Sequence, residues 1–190
     1  MYPLPARWQQ AGLLGMALVF ACLAAGASQT LSGRIVGVVD GDTVKALVAG
    51  NRQWRIRLAE IDAPEKRQPW GKRAKQALAA KIFGKEVRIV VTGQDRYGRW
   101  IGKIYLGDRD INREMVREGH AWAYRKYLRG RNLLDDEAEA RREHRGLWSL
   151  PEESRIPPWK WRSKKHRRKI RMMAPAPDNI PRPSGRGQHA

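Results

Sequence analysis

Apolar and polar residues alternate from Ser32 to Val48, interrupted at Asp40-Gly41. Alternation with a period of two marks a half-buried strand, and an Asp-Gly pair between Val-rich flanks is a strong hairpin signal. Strand, tight turn, strand is therefore expected. Ala49-Gly50-Asn51 makes a second turn, after which Trp54, Ile56 and Leu58 share one face of a third strand and Arg55 and Arg57 take the other. From Pro69 the period changes. Trp70, Ala74, Ala77, Leu78 and Ile82 form a helical stripe, Lys72, Arg73, Lys75 and Lys81 fall off it, and Gly84 caps the end. Further strands are expected at Glu86–Val91 and Tyr97–Leu106, on either side of a turn over 92–96. Asp110 can cap a second helix that turns Ile111, Met115 and Val116 inward and stops at Gly119. Ala121–Tyr124 is aromatic with no clear period. A third helix, rich in charge and poor in large apolar side chains, is expected from about Leu133 to His144, with Gly146-Leu147-Trp148 pinning its end. Five short strands with helices inserted after the third and the fifth predict an α+β fold, a small five-stranded closed barrel with three helices packed on it. Side chains fill a barrel of this size, so function must lie on its outer surface and loops.

Charge narrows the class. Thirty-eight Lys and Arg stand against nineteen Asp and Glu, a net charge of +19 over 190 residues. Such a field attracts polyanions, nucleic acid first and anionic membrane second. The apolar run from Ala11 to Ala27, preceded by Arg7 and ending in Ala25-Gly26-Ala27, reads as a secretory signal over residues 1–27, cleaved near Ala27. A retained membrane anchor and a lipoprotein attached through Cys22, the sole cysteine, are the alternatives. Export, periplasmic or secreted, is the expectation, for a mature chain that needs no disulfide. Residues 28–158 are expected to form one domain and 159–190 a basic, Pro-containing disordered tail. Trp159 and Trp161, interleaved with Lys160, Arg162, Lys164 and Lys165, give that tail a possible hold on nucleic acid or an anionic surface. The other tryptophans, Trp54, Trp70, Trp100, Trp122 and Trp148, are expected to pack.

Two acidic clusters stand out in this basic chain, Asp40-Gly41-Asp42-Thr43 and Asp62-Ala63-Pro64-Glu65. As hard oxygen donors without a His or Cys cluster they favour calcium or magnesium over zinc or copper. His120, His144, His166 and His189 are scattered and read as surface residues. Arg57 projects from the outer face of the strand that leads to Asp62, and Arg99 follows the turn at Asp95-Arg96-Tyr97-Gly98. Two carboxylates for a cation, a third for a water and two guanidiniums for a phosphate are the parts required for phosphodiester hydrolysis.

Val39-Asp40-Gly41-Asp42-Thr43-Val44, Arg57-Leu58 with Ile61-Asp62-Ala63-Pro64-Glu65, Asp95-Arg96-Tyr97-Gly98-Arg99 and Gly146-Leu147-Trp148-Ser149 occur in that order, and together they resemble the thermonuclease family of staphylococcal-nuclease-like domains. The resemblance runs from about Gly33 to Ser149. It implies an OB-fold barrel with three helices and a calcium-dependent endonuclease acting on DNA and RNA, single-stranded or unpaired regions favoured, leaving 3′-phosphates. It implies Asp42 and Asp62 as calcium carboxylates, with Ala63 ligating through its carbonyl. Glu65 would orient or deprotonate water, Arg57 and Arg99 would grip the scissile phosphate, and Tyr97, Tyr124 and Arg96 would place the nucleotide. A monomer without an obligate protein partner is expected. The region after Glu65 is shorter than the mobile loop of the staphylococcal enzyme, and the segment after Tyr124 does not align cleanly. The rival reading is a non-catalytic nucleic-acid-binding OB-fold module, which has no need of acids in a phosphate cleft. A cationic coat protein of membrane or envelope is a third.

Overall fold

The computed structural model describes residues 29–163. The expected signal segment and the tail beyond 163, with His166 and His189, lie outside the described residues.

Five strands close a barrel, as the alternation predicts. They are β1 (Gln29–Val38), β2 (Thr43–Val48), β3 (Arg52–Leu58), β5 (Glu86–Gln94) and β6 (Trp100–Leu106). The order is β3-β2-β1-β5-β6, antiparallel throughout, and parallel pairing of β3 with β6, Ile56 opposite Trp100 and Arg57 opposite Ile101, closes the ring. Ile35, Val44, Ala46, Ile56, Leu58, Val87, Ile89 and Ile104 fill the inside. Each large aliphatic side chain so buried contributes roughly 1.5–3 kcal/mol. Helix α1 (Gly71–Ile82) adds Ala74, Leu78 and Ile82 to this core, and α2 (Ile111–Arg117) adds Ile111, Met115 and Val116. The Asp110 carboxylate caps α2, accepting the Arg113 N–H at 3.1 Å.

Several boundaries move. The Asp-Gly pair does not make a two-residue hairpin: residues 39–42 form the connection, with the Val39 N–H bonded to the Thr43 carbonyl at 2.8 Å. Strand β5 runs on to Gln94 and β6 starts only at Trp100, because Asp95 accepts the N–H groups of Tyr97 and Arg99 and holds 95–98 as a turn. Helix α1 begins at Gly71, two residues after Pro69. The aromatic stretch without period contains a two-residue strand, β8 (Trp122–Ala123), paired with β4 (Ile61–Asp62). A further two-residue strand, β7 (Arg109–Asp110), pairs with the end of β6. Helix α3 spans Asn132–Arg142, and Leu147 and Trp148 join Trp122 and Ala140 in a second apolar cluster.

A fourth, short helix, α4 (Pro158–Trp161), lies where the disordered tail was expected to begin. Pro158 is buried, and Trp159 stacks on Tyr124 with ring centroids 5.5 Å apart and planes 4° apart. Trp159 also meets Trp122 edge-on at 5.7 Å, so its indole packs on protein. The tryptophans expected to pack do so: Trp122 and Trp148 are buried, Trp54 and Trp100 stack at 4.5 Å. His120, expected at the surface, is half-buried and accepts the Trp70 indole N–H at 3.1 Å; burial lowers its pKa.

Candidate active-site cleft

Strand ends and turns from five places in the chain converge on one cleft of about 730 Å³. The β1–β2 connection supplies Asp42, the end of β3 supplies Arg57, and β4 with the residues after it supplies Asp62, Ala63 and Glu65. The β5–β6 turn brings Arg96, Tyr97 and Arg99, and the segment after β8 brings Tyr124. Every site residue named from the sequence lines this cleft.

Backbone contacts place the carboxylates. The Leu58 N–H bonds the Asp42 carbonyl at 2.8 Å, fastening the connection to the end of β3. The Asp40 side chain accepts the Asp42 N–H at 3.1 Å and shapes the turn. A Cβ on Gly41 would lie 2.7 Å from the Ala63 Cβ and 2.8 Å from that of Ala74, so only glycine admits this approach. The glycine of the Asp-Gly pair thus serves contact with α1 and Ala63. Similarly a Cβ on Gly71 would lie 1.9 Å from the Glu65 carbonyl oxygen, which seats the Glu65 backbone against the start of α1. Asn112, buried at the start of α2, donates to the Ala59 carbonyl at 2.9 Å and accepts the Ile104 N–H at 3.1 Å, tying the strand exit below Asp62 to the barrel.

Asp42 and Asp62 are both buried, and Asp62 has no exposed surface. Arg57 bridges them: Nη1 lies 2.5 Å from Asp42 Oδ1 and Nη2 lies 2.9 Å from Asp62 Oδ1. Asp42 also accepts the Thr43 hydroxyl at 3.0 Å and the Ala63 N–H at 2.8 Å. Burial alone would raise the Asp42 pKa, but Arg57 and the Ala63 N–H outweigh it and hold the carboxyl below its usual value. At Asp62 burial prevails, reinforced by the Asp42 charge and opposed by Arg162 and Arg57, and the carboxyl is pushed up. Burial and the Asp42 charge likewise push Asp40 up to about 6. The site gathers more negative charge than one guanidinium neutralises.

Arg57 was expected to face outward. It does leave the outer face of β3, yet its side chain keeps only 14% of its exposure, because β4 and the chain beyond it fold over that face. The Arg99 Nε is 2.7 Å from Asp95 Oδ2, and its guanidinium lies 5.7 Å from the ring of Tyr97. Tyr97 is 70% exposed and flanked by Arg96 at 5.1 Å. Tyr124 is partly covered, with Trp159 on one face and Tyr127 edge-on at 4.9 Å. Asp42, Arg57, Asp62 and Ala63 are in direct contact as a group, while Arg96, Tyr97 and Arg99 stand apart from them on the β5–β6 turn.

The comparisons agree with this geometry. The family model for staphylococcal nuclease homologues matches residues 55–150. The chain is 46% identical over 142 residues to the micrococcal nuclease of Shigella flexneri, covering 68% of this chain and 79% of that one. It is 38% identical over 150 residues to an uncharacterized endonuclease of Haemophilus influenzae, covering 79% and 83%. Protein ParB of Escherichia coli is 40% identical over 164 residues, covering 80% and 91%. The chain belongs to the staphylococcal nuclease family.

As a member of that family it is a phosphodiester-hydrolysing endonuclease with an OB-fold barrel, and nucleases of this family use a metal ion. Among the described residues no three His, Cys, Asp or Glu side chains are grouped as a ready set of metal ligands. Asp42 and Asp62, both buried, are oxygen donors that face each other across Arg57. A second guanidinium reaches these carboxylates: Arg162 donates to both Asp62 oxygens, at 3.2 and 2.7 Å, and to Glu65 Oε1 at 2.8 Å. Sequence reasoning placed Arg162 in the tail and missed it. Separated from its partners by 97 and 100 positions, it reads as one more base in a basic run.

Proposed function

We propose that the protein is a calcium-dependent nuclease of broad specificity that cleaves DNA and RNA and leaves 3′-phosphates. The observation that supports this reading is the pairing, in one cleft, of buried Asp42 and Asp62 with Arg57, beside Glu65 and across from Arg99. Asp42, Asp62 and the Ala63 carbonyl would hold calcium, which supplies Lewis acidity at a phosphate oxygen. Glu65 orients and deprotonates the attacking water. Arg57 and Arg99 share the charge that grows on the phosphate oxygens as the bond to the 5′-oxygen breaks. Tyr97, 70% exposed, offers a ring face to a base, which favours single-stranded or unpaired substrate; Tyr124, whose ring is stacked by Trp159, would place the nucleotide through a phosphate contact, and Arg96 supplies charge for a flanking phosphate. Export after cleavage near Ala27 belongs to this reading and is checked by N-terminal sequencing of the natural protein.

Labelled single- and double-stranded DNA and RNA should be cut when calcium is present and spared when a chelator removes it. End analysis should show 3′-phosphates. Binding without cleavage under every metal condition would replace the enzyme by a nucleic-acid-binding module.

A further inference from the structure

The chain after Leu150 crosses back over the cleft. Arg155 donates through Nε to the Leu150 carbonyl at 2.6 Å, and Gln68, buried beside Glu65, donates through Nε2 to the Ile156 carbonyl. Pro158 then starts α4, and Trp159 is fixed on two aromatic rings, Tyr124 and Trp122. Arg162, the residue that ends that helix, reaches Asp62 and Glu65. These are independent anchors, a polar one at Gln68 and an aromatic one at Trp159, and they set the position of a single guanidinium. That guanidinium lies beyond the matched 55–150 segment.

We propose that Arg162 is a positioning residue that serves as the built-in counter-cation of the metal site. It holds Asp62 and Glu65 side by side and competes with the dication for Asp62. The proposal rests on reading Asp42 and Asp62 as metal ligands. Both Asp62 oxygens already accept hydrogen bonds, Oδ1 from Arg57 and Arg162 and Oδ2 from Arg162. A dication that takes this carboxylate must therefore displace the Arg162 end of the bridge. Arg57 and Arg162 already share this carboxylate, so a dication would be a third positive group at it, and repulsion falls on Arg162, whose side chain is 40% exposed and can swing away, before Arg57, whose side chain is 14% exposed. Trp159 keeps the displaced side chain close, and the Glu65 contact gives it a second carboxylate to hold.

Calcium chloride titrated calorimetrically into the full chain, with no nucleic acid present, tests this. Arg162→Ala should bind calcium about tenfold more tightly than the wild type, the ratio expected when one competing bidentate contact is removed. Its metal-free melting temperature should fall, because a buried carboxylate loses a partner, and calcium should raise it by more than in the wild type. Arg162→Lys, which keeps the charge and loses the fork, should fall between them. Trp159→Ala, which loosens the anchor and keeps the charge, should shift affinity in the same direction by less. If Arg162→Ala does not fold without metal, the lysine and Trp159 variants carry the comparison. Equal or weaker calcium binding in the Arg162 variants overturns the proposal and leaves the nuclease reading intact. Absence of calcium binding in every protein, the wild type included, sinks the metal site and this proposal together.

Discussion

Arg57 has two tasks that pull on the same guanidinium. It is proposed to meet a phosphate, and it also neutralises Asp42 and Asp62 inside the fold. Arg57→Ala should therefore lose nearly all turnover and also cost about 3–5 kcal/mol, the penalty of leaving buried charge without its partner. Denaturant melts check this, and added calcium should recover part of the lost stability, since a dication can replace the missing positive charge. Gly71 is the complementary case, a residue with no chemistry of its own. Gly71→Ala forces a Cβ against the Glu65 carbonyl. A stability loss of about 1–3 kcal/mol should accompany an activity loss on the order of a hundredfold, because the proposed base is displaced. Chemical unfolding and single-turnover kinetics at saturating substrate separate the two effects.

At the scale of elements, α3 shows why charge pattern alone misleads. It has few large apolar residues, and its attachment is polar. Asp136 takes both ends of the Arg113 guanidinium at 2.8 and 3.0 Å. Glu137, 1% exposed, accepts the Ala123 N–H at 2.8 Å and pairs with Arg141. Glu137→Ala should cost about 2–3 kcal/mol, since a buried N–H of β8 loses its acceptor, and it should loosen Tyr124 at the end of that strand. Hydrogen exchange at the Ala123 amide reads the effect directly. Nothing in the sequence distinguishes Asp136 and Glu137 from the acids beside them, because which ones turn inward depends on partners far along the chain. The barrel strands were legible, because each carries its own period. The two short strands β4 and β8 were not, because two residues carry no period. Asp42, Asp62 and Glu65 were legible for a local reason: each lies within a few residues of a turn or proline that announces it. Arg162 and Asn112 act over long separations, and only the closed fold shows what they touch.

On the scale of the whole molecule the charge balance has a pH signature. Glu114 is drawn down to about 2, first by Arg109 and then by Lys81. Its folded value lies below the ordinary 4.5, so the stability it contributes is present in full above about 4.5 and is lost as the pH falls through about 2. Melting temperatures recorded across that window should drop in the wild type and change less in Glu114→Gln. A Glu114→Gln protein with the full wild-type slope would assign acid sensitivity to other carboxylates.

The parallel seam between β3 and β6 has a consequence in time as well as in space. It joins residue 56 to residue 100 and completes the ring. Without that pairing β3 and β6 are the two open edges of one sheet, so Arg57 at the end of β3 and Arg99 beside β6 stand apart, and an unclosed sheet holds the halves of a nuclease without the nuclease. Trp54 and Trp100 stack across the same seam. Their fluorescence during refolding should change in the same kinetic phase in which cleavage returns, so the protein reports by its own light the moment it becomes able to cut.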